Sequence, residues 1–308
     1  MSKENTAVTK KKIKRCKEDV VFDAACFIIL TLVLFVVAYP LYWVIISSIS
    51  APSAVSSGKV LLHPIGFTLK GYAEVFKNDQ VMRGFLNSLI ITFCGVMVNL
   101  IVTLPTSYAL SRSNFSGKKP ITIFYLITMF FGGGLIPTYL VIQRLQMLNT
   151  IWALILPGCL SVYNMIVART FFKSNISEEL YEAAEIDGCT QARFFFQIAL
   201  PLSKAIIAIL VLYYGVGHWN SYFSALVYIS DKAKYPLQLV LRNILITNQT
   251  ALSQTATAAA RAALQEKQQL IDVMKYSLII ISSIPVLVMY PLVQKHFVKG
   301  VMIGSMKG

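Results

Sequence analysis

Charge is what this sequence has least of. Only 14% of its 308 residues are charged, against about a quarter in an ordinary soluble domain. Histidine is scarce as well, and His63, His218 and His296 lie too far apart to suggest a ligand set. The five cysteines (Cys16, Cys26, Cys94, Cys159 and Cys189) form no CxxC pair, so neither disulfides nor structural zinc is expected. There is no HExxH, no GxSxG and no cluster of carboxylates within an apolar run, which leaves no recognisable catalytic constellation. A GxxxxGK[ST] loop is also missing, so the chain is not expected to bind ATP by a P-loop.

What is abundant is apolar and clustered. Hydrophobic residues make up 56% of the chain and the mean hydropathy is +0.63. The runs are long enough to cross a hydrocarbon core, which takes roughly 20 residues per helix. Six spans are expected, near 22–46, 85–110, 121–142, 151–171, 202–230 and 275–293. Pro40, Pro105, Pro137, Pro157, Pro285 and Gly132-Gly133-Gly134 fall inside them. Such breakers are tolerated where neighbouring protein satisfies the freed backbone groups, so kinked helices in a bundle around a path are expected.

The net charge of +14 reads as loop bias in a membrane protein rather than as a nucleic-acid footprint, because the basic residues sit beside apolar runs. With the N-terminus inside, the inner segments hold 17 of the 28 Lys and Arg, and seven of these precede the first span. Both termini are therefore expected in the cytoplasm. The basic stretch from Lys10 to Lys17 leads into an apolar run longer than a signal h-region, and is read as a retained anchor. The layout is a basic cytoplasmic segment (1–21), one transmembrane domain (22–293) and a cytoplasmic tail (294–308). No internal repeat is visible.

Two loops are too long to be simple connectors. The outer one, 231–274, has a Tyr235-Pro236 turn followed by an Ala-rich polar helical stretch from Thr255 to Val273. The inner one carries five of the chain's acids within 174–201. There, Ser177 is placed to cap a short helix whose first residues, Glu178 and Glu179, suit the positive end of its dipole. Leu180, Ala183 and Ala184 share a face. Gly188 permits the left-handed residue that ends a helix, Thr190 can cap the next, and Pro201 marks the start of the fifth span. The pattern describes a compact helical knob shaped to seat in a partner's groove.

These residues resemble a known family. Glu182-Ala183-Ala184, then Gly188, then Ile198, Leu200 and Pro201 match the EAA loop of ABC importer permeases at its spacing. Asn87-Ser88 and Tyr108-Ala109-Leu110-Ser111-Arg112 look like carbohydrate-uptake permeases of the maltose-transporter type. Gly133 to Tyr139, Trp219-Asn220-Ser221-Tyr222, Tyr235-Pro236-Leu237-Gln238 and the tail Val298 to Gly304 look like its complex-polysaccharide branch. Ser177 stands where the family often has proline, and Cys189 where it often has alanine.

The resemblance implies an all-α membrane protein with the six-helix type I permease fold, in the cell membrane. It implies a non-catalytic subunit of an importer of oligosaccharides or complex glycans. Its partners would be a second homologous permease, two ATP-binding cassette subunits that hold ATP and Mg, an extracellular substrate-binding lipoprotein, and lipid. Glu178, Glu179, Glu182, Ala183, Ala184, Asp187, Gly188, Ile198, Leu200 and Pro201 would couple to the ATPase. The 231–274 loop would meet the binding protein, although a solvated surface helix explains it as well on physical grounds. The tail would touch the ATPase interface or remain disordered.

Trp219, Asn220, Tyr222 and Tyr139 are candidates for the substrate pathway, since an aromatic beside an amide can stack on and hydrogen-bond a sugar. The competing reading is an interfacial aromatic belt. An ion-coupled secondary sugar transporter is the rival function. It would place ionisable groups near mid-membrane, each costing about 3 kcal/mol to insert. Here the ionisable groups of the spans sit near their ends, Lys204 among them, with His218 the exception. His218 is expected to be packed or hydrogen-bonded, and inverted repeats are not apparent.

Overall fold

The computed structural model describes residues 16–250 and 258–305. Every regular element among them is helical. Three helices are individually long and apolar enough to cross a membrane: α1 (Lys17–Ser48), α2 (Asp79–Ser111) and the Gln268–Pro291 stretch of a helix that runs Ala258–Ser305. Three bent pairs would each supply a further crossing if counted as one span. They are α3 (Lys118–Phe130) with α4 (Leu135–Arg144), α5 (Trp152–Gly158) with α6 (Val162–Asn175), and Gln191–Leu202 with Lys204–Trp219.

The bends are much sharper than kinks, at 113°, 51° and 80° respectively. Gly134, the Pro157-Gly158 turn and Ser203 stand at the breaks. Gly134 stands at φ +85°, a conformation that favours glycine, and separates α3 from α4. Ser161 caps α6 after the Pro157-Gly158 turn. By contrast Pro40, Pro105 and Pro285 sit inside continuous helices. The fifth expected span, 202–230, is divided twice, at Ser203 and again at Asn220–Tyr222.

Between the fourth and fifth apolar segments the chain forms α7 (Glu178–Ile186) and α8 (Gln191–Leu202, relaxed into a π turn at Phe195–Ala199). It then continues as α9 (Lys204–Trp219), α10 (Phe223–Tyr228), α11 (Leu237–Thr250) and α12 (Ala258–Ser305). Part of the Ala-rich stretch and the last span are thus one helix, and α12 continues past residue 293 to Ser305. Residues 251–257 of the long outer loop, and 306–308 of the tail, lie outside the described residues.

Helix α2 is the central strut, packed on α6, α9 and α11. Towards its C-terminal end it enters an aromatic cluster of Tyr108, Phe172, Tyr181, Phe194 and Phe195. Near its N-terminal end it joins a second cluster with Trp219, Leu237, Val240, Met274 and Leu278. Tyr108 of the first cluster lies 27 residues beyond Val81 of the second, about 40 Å along α2 at 1.5 Å per residue.

Helix α1 differs from the rest. Its last turns are anchored through Trp43 against Tyr276 (ring centroids 5.1 Å apart) and the Trp43 Nε1 donor to the Val60 carbonyl (2.7 Å). From Ala24 to Val37 it is almost wholly apolar on every side, with Phe27, Leu30 and Phe35 about 70% exposed. A helix apolar all round is stable only in hydrocarbon or against other protein.

Candidate functional site

The 174–201 segment folds as the spacing predicts, a hairpin of two short helices. Ser177 Oγ accepts the Leu180 amide at 3.3 Å, and Thr190 Oγ1 accepts the Arg193 amide at 3.3 Å. Helix α7 ends in a full Schellman closure. The Cys189 amide donates to the Ala184 carbonyl (2.9 Å) and the Gly188 amide to the Glu185 carbonyl (3.0 Å). Gly188 holds φ +76°, the left-handed turn that this closure requires. Ala184 and Cys189 are both half-buried on the aromatic cluster, the apolar contact that usually accompanies the motif.

Tyr181 anchors the hairpin. It is 6% exposed and packs edge-on against Phe194 at 5.3 Å. Ile198 and Leu200 pack on the same cluster and Pro201 is exposed. The opposite face presents Glu179, Glu182, Ala183, Asp187 and Gly188 to the surroundings, and above all Ile186, which is 87% exposed. The paired alanines therefore divide, with Ala183 outward and Ala184 inward. Ile186 escaped the sequence reading because it lies off the Leu180/Ala183/Ala184 stripe. An apolar residue between Glu185 and Asp187 was the available signal.

Glu178 does not face outward with the other acids. Its carboxylate turns back to the end of α2, where Oε1 accepts the Ser113 amide at 3.2 Å and Oε2 lies 3.8 Å from Arg112 Nη1. Arg112 is 9% exposed. Its Nη2 donates to the last carbonyls of α6, Phe172 (3.5 Å) and Ile176 (3.3 Å), and its guanidinium lies 5.1 Å from the Tyr108 ring centre. Arg169 in turn donates to the Leu110 carbonyl (3.0 Å), and Lys118 to those of Arg112 and Ser113 (3.1 Å each). Cations at the ends of α2 and α6 complement the helix dipoles and fix the hairpin to both. Beneath this clamp is a cavity of about 340 Å³ lined by Pro105, Phe115, Phe195 and Phe196, among others.

The four pathway candidates are not brought to one place. Trp219 is 1% exposed, its indole N–H bonded to the Ser282 carbonyl (2.8 Å) and its ring edge-on to Phe85 (5.6 Å). Tyr139 stacks on Tyr228 at 6.3 Å in a separate cluster. Asn220 and Tyr222 are exposed at the break between α9 and α10, and Arg242 of α11 lies over the Tyr222 ring at 6.0 Å. The neighbouring Tyr235-Pro236-Leu237 turn is held by α2: Asn87 Nδ2 donates to the Ala233 and Tyr235 carbonyls (2.8 and 3.1 Å), and Ser88 Oγ accepts the Leu237 amide (2.8 Å).

His218 is hydrogen-bonded, as expected. Its Nε2 lies 2.7 Å from Asn99 Oδ1, and Asn99 Nδ2 donates to the Gly158 carbonyl at the α5–α6 bend (2.8 Å). One turn along, Tyr214 and Thr103 hydroxyls meet at 2.7 Å, and the Ser161 amide donates to the Tyr214 hydroxyl at 3.2 Å. Two side-chain pairs thus satisfy backbone groups freed at the bend, the requirement for broken helices in a membrane. Gly95 makes room for the imidazole, because a Cβ there would lie 2.5 Å from its Nε2.

No family model matches the sequence. The chain is 36% identical over 287 residues to the polygalacturonan/rhamnogalacturonan transport system permease protein YtcP of Bacillus subtilis, covering 93% of this chain and 98% of that one. It is 38% identical over 288 residues to protein LplC of the same organism, covering 94% and 95%. Its fold matches, with a TM-score of 0.82 and 28% identity over 92% of this chain and 99% of the other, a chain in the crystal structure of a bacterial ABC transporter involved in the import of the acidic polysaccharide alginate.

Proposed function

We propose, because this chain belongs to the membrane permeases of ABC transporters for sugar import, that it forms half of an oligosaccharide path driven by a separate ATPase. The observation that carries the coupling part of this reading is the 174–201 hairpin. It is braced on one side by Tyr181 and Arg112, and bare on the side bearing Glu182, Ala183 and Ile186. A braced element that presents an exposed apolar residue, Ile186, between two acids is suited to seat in a groove and transmit a push.

In this reading each bent pair is one crossing, six crossings place both termini in the cytoplasm, and the hairpin faces the same side. Two ATP-binding cassette subunits carry ATP and Mg. A second homologous permease covers apolar surface such as that of α1, and an extracellular binding lipoprotein meets the 231–274 region. Residues 1–21 and 294–308 flank a single transmembrane domain. Glu179, Glu182, Ala183, Ile186 and Asp187 contact the ATPase. Gly188, Ile198, Leu200 and Pro201 set the hairpin's shape, and Glu178 ties it to α2.

The hydrogen-bonding of His218 to an amide, with no carboxylate among its partners in the described residues, favours this reading over an ion-coupled carrier. Reconstitution tests it. ATP hydrolysis and ATP-dependent oligosaccharide uptake are expected from the full complex and neither from this chain alone. Uptake by this chain driven by an ion gradient without ATP would overturn it.

A further inference from the structure

We infer that Asn164, Tyr213 and Tyr290 form a station of the path at which this chain itself touches the hydroxyls of the passing sugar. The inference rests on the oligosaccharide-importer reading and adds to it the residues that meet the cargo and what they sense.

The three line one cavity of about 440 Å³, with Leu212, Val216 and Val286 as its aliphatic walls. Asn99 and Asn164 are the two buried asparagines among the described residues. Both ends of the Asn99 amide are bonded, to His218 and to the Gly158 carbonyl. Asn164 is 7% exposed and its backbone N–H is bonded to Ser161 Oγ (3.4 Å), but its side-chain amide has no hydrogen-bond partner among the described residues. A buried amide left in this way calls for a partner. Other unpaired buried groups, such as the Ser47 and Ser203 hydroxyls, are shut off from solvent. The Asn164 amide is reachable, and it borders the cavity. Tyr213 and Tyr290 are exposed, and their hydroxyls are also without a partner among the described residues.

The walls are held in register. Tyr214 turns away from the cavity and is buried, its hydroxyl 2.7 Å from that of Thr103 and accepting the Ser161 amide at 3.2 Å. That joint ties α9 to the start of α6, and so Tyr213 to Asn164. On the other side a Cβ at Gly215 would collide with Met289 Cε, so glycine lets α12 lie close against α9 and carries the adjacent Tyr290 to the cavity. Groups fixed in this way need little reordering when a ligand arrives.

The chemistry fits a sugar ring. A primary amide is donor and acceptor at once, which matches two neighbouring hydroxyls of a pyranose. The tyrosine rings offer flat faces to its C–H side, and their hydroxyls serve its polar edge. A largely aliphatic cavity with a few placed polar groups has the make-up of a ligand site. No charged side chain lines it, so the station reads hydroxyls and ring shape rather than the charge of the cargo.

The test uses the full importer with its binding protein in proteoliposomes, with trigalacturonate and galactotriose as probes. Asn164→Leu keeps the volume and removes the amide. It should lower uptake of each trisaccharide that the wild type transports about tenfold, the scale of a lost pair of neutral hydrogen bonds. The variant should still purify with its partner subunits in wild-type amounts. Tyr213→Leu should lose uptake similarly, and Tyr213→Phe, which keeps the ring, should retain most of it. Wild-type uptake in Asn164→Leu would overturn the inference and leave the importer reading standing. Loss of the second permease from the purified Asn164→Leu complex would also overturn it, making these residues a subunit contact. If the wild-type complex transports neither trisaccharide, the inference and the importer reading fall together.

Discussion

The guanidinium of Arg112 joins three elements at one point, holding Glu178 of the α7–α8 hairpin at 3.8 Å while bonding the Phe172 and Ile176 carbonyls at the end of α6 and resting on the Tyr108 ring. In the proposed coupling, a displacement of α7 reaches α2 through this contact between Glu178 and the buried Arg112. Removing the guanidinium leaves the Phe172 and Ile176 carbonyls without this donor, at a cost of about 1–3 kcal/mol.

Arg112→Ala should thus lower uptake at least tenfold while the complex still hydrolyses ATP. Arg112→Lys, which cannot reach two carbonyls and a carboxylate together, should fall in between. Uptake and hydrolysis measured on the same proteoliposomes give the ratio. An unchanged ratio in Arg112→Ala would remove the clamp from the mechanism.

Gly188 makes a second test, because its role is conformational. Nothing lies within 4 Å of a Cβ built there, so crowding is not the constraint. At φ +76° a β-branched residue costs about 1–3 kcal/mol and the Schellman closure opens. Gly188→Val should uncouple hydrolysis from uptake, and Gly188→Asn, which tolerates this region, should largely retain coupling. Equal behaviour of the two variants would contradict the assignment.

Trp219 and Tyr222 should part company although only two residues separate them. Trp219→Phe removes the indole donor to the Ser282 carbonyl and should cost about 1 kcal/mol, read as a lower melting temperature of the detergent-solubilised complex. Tyr222→Ala should leave the melting temperature nearly unchanged and reduce sugar-stimulated hydrolysis. The reverse pattern would make Trp219 the residue that meets sugar.

Gly95→Ala should destabilise by driving a Cβ into the His218 ring, and Gly95→Ala with His218→Ala should recover part of that loss. Additive losses in the double variant would show that the two residues do not share the site.

The sequence carried the hairpin almost completely, because its signals are local: Ser177, Gly188 and Thr190 each act on backbone within three residues. The apolar runs were legible for the same reason, since 20 apolar residues need no tertiary context. What stayed hidden depends on distant partners. Whether Gly134 or Ser203 bends a helix by 113° or 80° is settled by what packs on either side. Glu178 stands in the sequence only as a first-turn acid of the hairpin, and its contact with Arg112, 66 positions earlier, is visible only in the fold. Trp219 read as a pathway aromatic because its Ser282 partner lies on another helix. Asn87-Ser88 and Tyr235-Pro236 were separate signatures in the sequence and form one joint in the fold.

The most direct measurement is disulfide trapping from Ile186→Cys, on the most exposed large apolar residue of the hairpin, to cysteines placed around the groove of the ATPase in the assembled transporter. A cross-link that forms in membranes and changes in yield between nucleotide-free and ATP-bound states is the predicted result. Labelling of Ile186→Cys by a membrane-impermeant thiol reagent from outside intact cells, with no cross-link to the ATPase, would contradict the account.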